Sequence, residues 1–257
     1  LNRKNYAGAM QNFSAVADIY SKEDDIEYRS LLGLAISNFY LNKVDDALNL
    51  FIDLEVRAPL FEQAKVSFYI AECYFAKSNY SEALKYYNRV STDDPQIGNL
   101  TLYGKAYSYF NLKDYKNASY QFSDFNRKYS FDSKIQDVKL RLADSYFADK
   151  NFDSAIRIYE EILASRDRVQ NRDHIIYQYA LALYRANRVN KALTELNRIK
   201  DGFSKSAYYE NALYLIGWIS FQQNNFYDAI LNYKNFLSLS PRSRLTPVIY
   251  YSLGDAY

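Results

Sequence analysis

The spacing of apolar positions resolves the stretch from Asn211 to Pro241 into a helix, a polar turn and a second helix. Apolar residues recur at helical intervals through Leu213, Ile216, Gly217 and Trp218, and again through Phe226, Ala229, Ile230, Tyr233 and Phe236. Gln223, Asn224 and Asn225 interrupt the pattern between them. Pro241 lacks the amide proton that a continuing helix needs, so it ends the second helix.

This unit recurs along the chain and can be followed by one alanine in each second helix. The anchors are Ala9, Ala47, Ala83, Ala118, Ala155, Ala192 and Ala229, at intervals of 38, 36, 35, 37, 37 and 37 residues. Twelve residues before each anchor from the second onward stands a small residue: Ala35, Ala71, Ala106, Ala143, Ala180 or Gly217. Eight residues before the same anchors stands a ring: Phe39, Phe75, Phe110, Phe147, Tyr184 or Phe221. With aromatic residues at 18% of the chain, six rings in one column are not a product of composition, and the chain is an internal repeat.

Three residues before the anchors lie Tyr6, Val44, Tyr80, Tyr115, Phe152, Val189 and Phe226, and four after them Phe13, Phe51, Tyr87, Phe122, Tyr159, Leu196 and Tyr233. With the anchor these make one apolar helix face. Small residues let two backbones approach, and large ones fill the space to the next pair. One pair cannot bury its own face, so pairs must stack. Short polar turns such as Ser78-Asn79, Lys113-Asp114 and Asn224-Asn225 separate the helices, while Pro59, Pro95 and Pro241, each twelve residues after an anchor, read as stops. The expected fold class is all-α: an α-solenoid of antiparallel helix pairs with repeats of about 37 residues.

The columns divide the chain into a half repeat at 1–25, repeats at 28–62, 64–98, 99–133, 136–170, 173–207 and 210–244, and a partial repeat at 247–257. Leu1 stands just ahead of a second helix and Tyr257 inside a first one, so a piece of a longer array is expected. Uncapped apolar ends would give it a route to self-association.

These columns resemble the tetratricopeptide repeat family. The resemblance is carried by the small Ala71 or Gly217, an aromatic such as Tyr74, Tyr109 or Tyr146, and the Tyr80-x-x-Ala83 and Tyr115-x-x-Ala118 starts of second helices, followed by Tyr87 and Pro95. It covers essentially the whole chain and departs in period, because the family unit is about 34 residues. Asn38 and Ser220 also stand where the family prefers an aromatic. The resemblance implies a right-handed superhelix whose first helices line a concave groove for a protein partner.

Carried onto this sequence, the groove columns lie fifteen, eleven and eight residues before each anchor. They hold Phe68, Glu72 and Phe75; Tyr103, Tyr107 and Phe110; Leu140, Asp144 and Phe147; Tyr177, Leu181 and Tyr184; Tyr214, Trp218 and Phe221; and, first, Leu32, Ile36 and Phe39. Such an aromatic face reads as a platform for an extended peptide or a partner helix. The other reading of these rings, above all the column from Phe39 to Phe221, is packing between adjacent first helices. Family members that grip a C-terminal carboxylate place Lys, Asn and Arg on this face, and none stands in these columns.

A second resemblance is to bacterial cell-envelope members of the family, outer-membrane assembly lipoproteins and the Tol-Pal coordinator among them. It rests on Phe236-Leu-Ser-Leu-Ser-Pro-Arg-Ser followed by Tyr250-Tyr-Ser-Leu-Gly-Asp-Ala-Tyr, echoed at Phe125-Asn-Arg-Lys-Tyr-Ser-Phe-Asp-Ser. It implies a periplasmic or cell-envelope adaptor, with a cytoplasmic co-chaperone or signalling adaptor as the competitor.

Charge narrows the partner. The formal charge of +2, from 32 basic and 30 acidic residues, gives no field to draw the chain onto nucleic acid. RNA binding, the alternative function for a helical repeat of this length, would need a basic stripe that the groove columns lack. The most basic stretch, Arg166 to Arg172, is offset by Asp167 and Asp173 and reads as a solvated link.

Catalytic chemistry is not expected. His174 is the only histidine, so no paired-histidine metal site and no Ser-His-Asp arrangement can be assembled; it reads as a surface residue at a helix start. The seven glycines are scattered and form no phosphate loop. Glu23-Asp24-Asp25, Asp93-Asp94 and Glu160-Glu161 read as solvated charge. Cys73 reads as a small buried residue, and no apolar run reaches the length of a membrane span. The expectation is a non-catalytic scaffold with no cofactor and no metal.

Overall fold

The computed structural model describes residues 5–19, 24–165 and 171–257. Glu23 of the first acidic run and residues 166–170 of the basic stretch lie outside the described residues. Among those described, every regular element is a helix, and the contacts divide the chain into two compact units, Leu1–Asp132 and Ser133–Tyr257.

The first unit contains α1 (Tyr6–Ile19), α2 (Asp24–Tyr40), α3 (Val44–Arg57), α4 (Gln63–Ala76), α5 (Tyr80–Tyr87), α6 (Gly98–Asn111) and α7 (Tyr115–Lys128). The second contains α8 (Ile135–Ala148), α9 (Phe152–Ala164), α10 (Arg172–Arg185), α11 (Val189–Gly202), α12 (Tyr209–Gln222), α13 (Phe226–Leu239) and α14 (Thr246–Ala256). Within each unit the helices pair in chain order, as antiparallel hairpins of an all-α solenoid.

The turn inside each pair explains why the chain reverses there. Asn42, Ser78, Lys113, Lys150, Asn187 and Asn224, one per pair, adopt left-handed backbone with φ between 59° and 61°. This is the conformation that ends a helix by turning its last amides back on its open carbonyls. The next residue then starts the second helix: the side chains of Asn79, Asp114, Asn151 and Asn225 each accept from the amide three residues on. The far end of several pairs is tied as well. Ser206 donates to Asp173 at 2.6 Å, Ser243 to Glu210 at 2.6 Å, and Asn99 to Asp132 at 2.7 Å, each joining a first helix to the link that follows its pair.

The anchors Ala47, Ala83, Ala118, Ala155, Ala192 and Ala229 are all 0% exposed, as are Phe51, Tyr87, Phe122, Tyr159, Leu196 and Tyr233 four residues on. Burying each of these large side chains contributes about 1.5–3 kcal/mol, and together they form the floor on which the first helices lie. In the first unit Phe51 and Leu54 of α3 share a core with Ile70 and Cys73 of α4; in the second, Leu196 and Ile199 of α11 share one with Ile216 and Ile219 of α12. Burial pushes the Cys73 thiol up to about 12, which makes it the inert packing residue expected.

One helix end differs from expectation. α3 stops at Arg57, before Pro59, and α13 at Leu239, before Pro241, but α5 ends at Tyr87, well ahead of Pro95. Beyond Tyr87 the amides of Arg89 and Val90 bond three residues back, at 3.0 and 3.1 Å, so the helix tightens and unwinds before the proline is reached. Val90 still enters the core, at 3% exposure.

Candidate functional site

Four rings of the column eight residues before the anchor are occupied within their own pair. Phe75 packs edge-on against Tyr80, Phe110 against Tyr115, Phe147 against Phe152 and Phe221 against Phe226, with centroids 5.3 to 5.6 Å apart. Each contact pins the end of a first helix to the start of the second. Where that second residue is valine rather than a ring, at Val44 and Val189, the column is released. Phe39 then meets Tyr40 and Tyr69, and Tyr184 meets Trp218 of α12, whose Nε1–H donates to the Tyr184 hydroxyl at 3.1 Å. Trp218 in turn stacks on Phe221 at 6.1 Å.

The remaining rings of these columns divide. Tyr103 and Tyr107 lie 4.7 Å apart on α6 and lean onto Phe125 and Phe122 of α7, at 6.1 and 5.3 Å. Tyr214 leans similarly on Tyr233 of α13, at 6.5 Å. Phe68 is buried at 5% and packs on Tyr69, also forming one wall of a cavity of about 440 Å³ with Phe61, Tyr69, Ile97 and Leu100. Tyr177 stacks on Tyr208 at 5.3 Å, and His174 on the same ring at 5.0 Å. His174 is thus half-buried in an aromatic stack, not the plain surface residue its position at a helix start predicts; Tyr208, in the link before α12, brings it in. Tyr208 lies outside the repeat columns, so periodicity does not find it.

The two acidic residues of these columns are tied to the core. The Tyr87 hydroxyl donates to Oε1 of Glu72, and the Tyr159 hydroxyl donates to Oδ1 of Asp144 at 2.7 Å. Each tyrosine stands four residues after its anchor and each acid eleven before it, so both bonds cross from second helix to first within a pair. Burial raises both carboxyls above their ordinary range, and both tyrosine hydroxyls with them. At Glu72 only the Tyr87 bond opposes that rise. At Asp144 the Tyr159 bond is joined by Arg141, whose Nη1 donates to Oδ2 at 2.8 Å, and by the nearby His174. The sequence carries a signal for this pairing: where position −11 is acidic, position +4 is tyrosine, and where it is Ile36, Tyr107 or Leu181, position +4 is Phe51, Phe122 or Leu196, while Tyr233, opposite Trp218, is a tyrosine without an acid.

The other acidic pairs are less free than solvated charge. Asp93 pairs with Lys128 at 2.8 Å, Asp94 caps the amides of Gln96 and Ile97, Glu160 accepts from Tyr179 at 2.5 Å, and Glu161 pairs with Lys139. Among the described residues no group of His, Cys, Asp and Glu is arranged to hold a metal, and no helix is long and apolar enough to cross a membrane.

The same architecture occurs in known proteins. Residues 32–96 match a tetratricopeptide repeat family, and residues 95–189 match the YfiO outer membrane lipoprotein family. That second segment includes the echo at Phe125 to Ser133, while the stretch from Phe236 onward lies beyond it. No curated protein sequence matches the chain. Among solved structures, the C-terminal part of a tetratricopeptide repeat protein from Cytophaga hutchinsonii superposes with a TM-score of 0.72 at 17% identity, covering 96% of this chain and 95% of that one. A tetratricopeptide repeat protein from Parabacteroides merdae gives 0.56 at 18% identity, covering 98% and 92%. YrrB, described as a tetratricopeptide repeat protein with an unusual peptide-binding site, gives 0.59 at 15% identity, covering 78% and 97%. The repeat columns, the helix pairs they build and these matches give the chain the fold of tetratricopeptide repeat proteins, with residues 32–96 matching that repeat family directly.

Proposed function

We propose that the chain is a non-catalytic scaffold that binds an extended peptide or partner helix on the aromatic faces of its first helices, within a bacterial cell-envelope assembly. Proteins that share this repeat fold include YrrB, a tetratricopeptide repeat protein with a peptide-binding site. The observation that carries it is the Tyr184–Trp218 contact, where two successive first helices, α10 and α12, share a half-buried indole and phenol. A core is filled more readily by aliphatic side chains, whereas Tyr and Trp dominate binding hot spots because they give large area for few rotors. The match of residues 95–189 to an outer membrane lipoprotein family supports the envelope setting.

The test is affinity capture from extracts of the source cells, comparing the intact chain with a Tyr177→Ala, Trp218→Ala double variant of unchanged helical circular dichroism. Envelope proteins captured by the first and lost by the second are the expected result. Equal capture by both would remove these rings from the binding face.

A further inference from the structure

Within this one chain, two carboxylates occupy the same repeat position and only one has a cation. Asp144 accepts from Tyr159 on one oxygen and from Arg141 on the other. Glu72 accepts from Tyr87 on Oε1, while Oε2 has no partner among the described residues. Arg141 stands three residues before Asp144 on the same helix, and the residue three before Glu72 is Tyr69, which carries no charge and is stacked on Phe51 at 5.1 Å. Lys65 of α4 and Lys77 just beyond its end are engaged elsewhere, Lys65 with Glu62 at 3.6 Å and Lys77 with Asp45. A half-buried carboxylate without a counter-ion is costly, and the cost is relieved when a cation arrives already shielded from water.

The surroundings favour a cation from outside. Phe68, four residues before Glu72 and on the same helix face, and Tyr69 form part of the wall of the cavity of about 440 Å³. The charged groups lining it are Glu62, Lys65 and Asp94; with Glu72 one turn away, three carboxylates stand against one ammonium. Aromatic faces beside a carboxylate suit a lysine or arginine, whose stem packs on the rings while its head reaches the acid.

We infer that Glu72 receives a lysine or arginine side chain of the peptide bound on the first unit, in the role that Arg141 fills for Asp144 in the second. This rests on the peptide-binding reading above and adds its charge specificity. The ligand is a segment with a basic residue next to a large apolar one, the apolar side chain entering the cavity lined by Phe68 and Leu100.

The experiment is selection of a random dodecapeptide phage library on the intact chain and on a Glu72→Gln variant, which keeps an oxygen for Tyr87 to bond. Peptides selected on the intact chain should carry Lys or Arg at a fixed distance from an aromatic or aliphatic residue. A selected arginine peptide, made synthetically, should bind about tenfold or more tightly than its neutral citrulline counterpart. The Glu72→Gln variant, with unchanged circular dichroism, should bind both equally and weakly. Selected peptides without a basic residue, or an arginine preference retained by Glu72→Gln, would overturn the charge inference and leave peptide binding standing. A library that yields no binder at all would overturn both.

Discussion

Glu72 and Asp144 stand at one position of one repeat, each under a fully buried tyrosine, yet α4 places Tyr69 beside the first and α8 places Arg141 beside the second. The second unit neutralises its buried acid from within; the first leaves its acid for something else to satisfy. The repeat therefore fixes where a carboxylate goes, and a single neighbouring residue decides whether it closes a core or faces a partner.

The largest effect should come from pressing on the tyrosine itself. Gly104 of α6 lies so near the Tyr87 ring that a Cβ there would fall on ring atoms, and Tyr87 is 0% exposed with nowhere to move. Gly104→Val should cost about 3 kcal/mol through overpacking, seen as lost hydrogen-exchange protection in α4 to α6. The residue in register in the second unit is the half-buried Gln178, where Gln178→Val should change stability by less than about 1 kcal/mol. Equal losses would show that the two tyrosines are held alike, and the comparison would fail.

Removing the hydroxyls separates the two acids next. Tyr87→Phe takes from Glu72 its one donor and should cost about 2 kcal/mol, while Tyr159→Phe leaves Arg141 on Asp144 and should cost about 1 kcal/mol. Urea unfolding followed by exchange in α4 and in α8 measures each separately.

The fold was legible in the sequence because a repeat states its pattern several times over. The buried alanines, the rings four residues after them and the polar turns were fixed by period and helix geometry. Less legible was the use of each ring. The contacts of Phe75 and Phe110 depend on the neighbour three residues before the anchor: Tyr80 and Tyr115 take up these rings within their own pairs, whereas Tyr184, followed by Val189, meets Trp218 of the next pair. The acids stand out in their columns, but their tyrosine partners merge with the core, because the apolar pattern treats Tyr87 and Phe122 as equivalent and only the hydroxyl tells them apart. Tyr208, in a link without periodicity, left no signal.

Acidity separates the two carboxylates further. Burial raises Glu72, so the folded chain holds that proton more tightly than the unfolded one, whose carboxyl titrates near its ordinary 4.5. The ionised group therefore lowers stability above its folded pKa, and that loss is relieved as the pH falls through the window between the folded value and 4.5. Glu72→Gln should be more stable than the parent at pH 7, and the advantage should vanish by about pH 4. Asp144→Asn also forfeits the attraction of Arg141, so its gain should be smaller or reversed. Thermal melts of the three proteins across that range measure it; a larger gain for Asp144→Asn would mean that Arg141 does not compensate its acid.

The smallest effect should be one that the two units share. Lys113 and Lys150 hold the left-handed position of their turns at φ 61°, a conformation that crowds any Cβ against the neighbouring carbonyl. Glycine relieves that crowding but adds freedom to the unfolded chain, so Lys113→Gly and Lys150→Gly should each gain about 0.5 kcal/mol. Asn224→Gly at φ 60° should gain less, since asparagine tolerates the same backbone through its short polar side chain. Equal gains for the two lysines, read from exchange in their own hairpins, would show that the units share one turn mechanism and differ in how they satisfy a buried acid. Unequal gains would place part of the difference in the backbone, and the contrast between Glu72 and Asp144 would no longer belong to Arg141 alone.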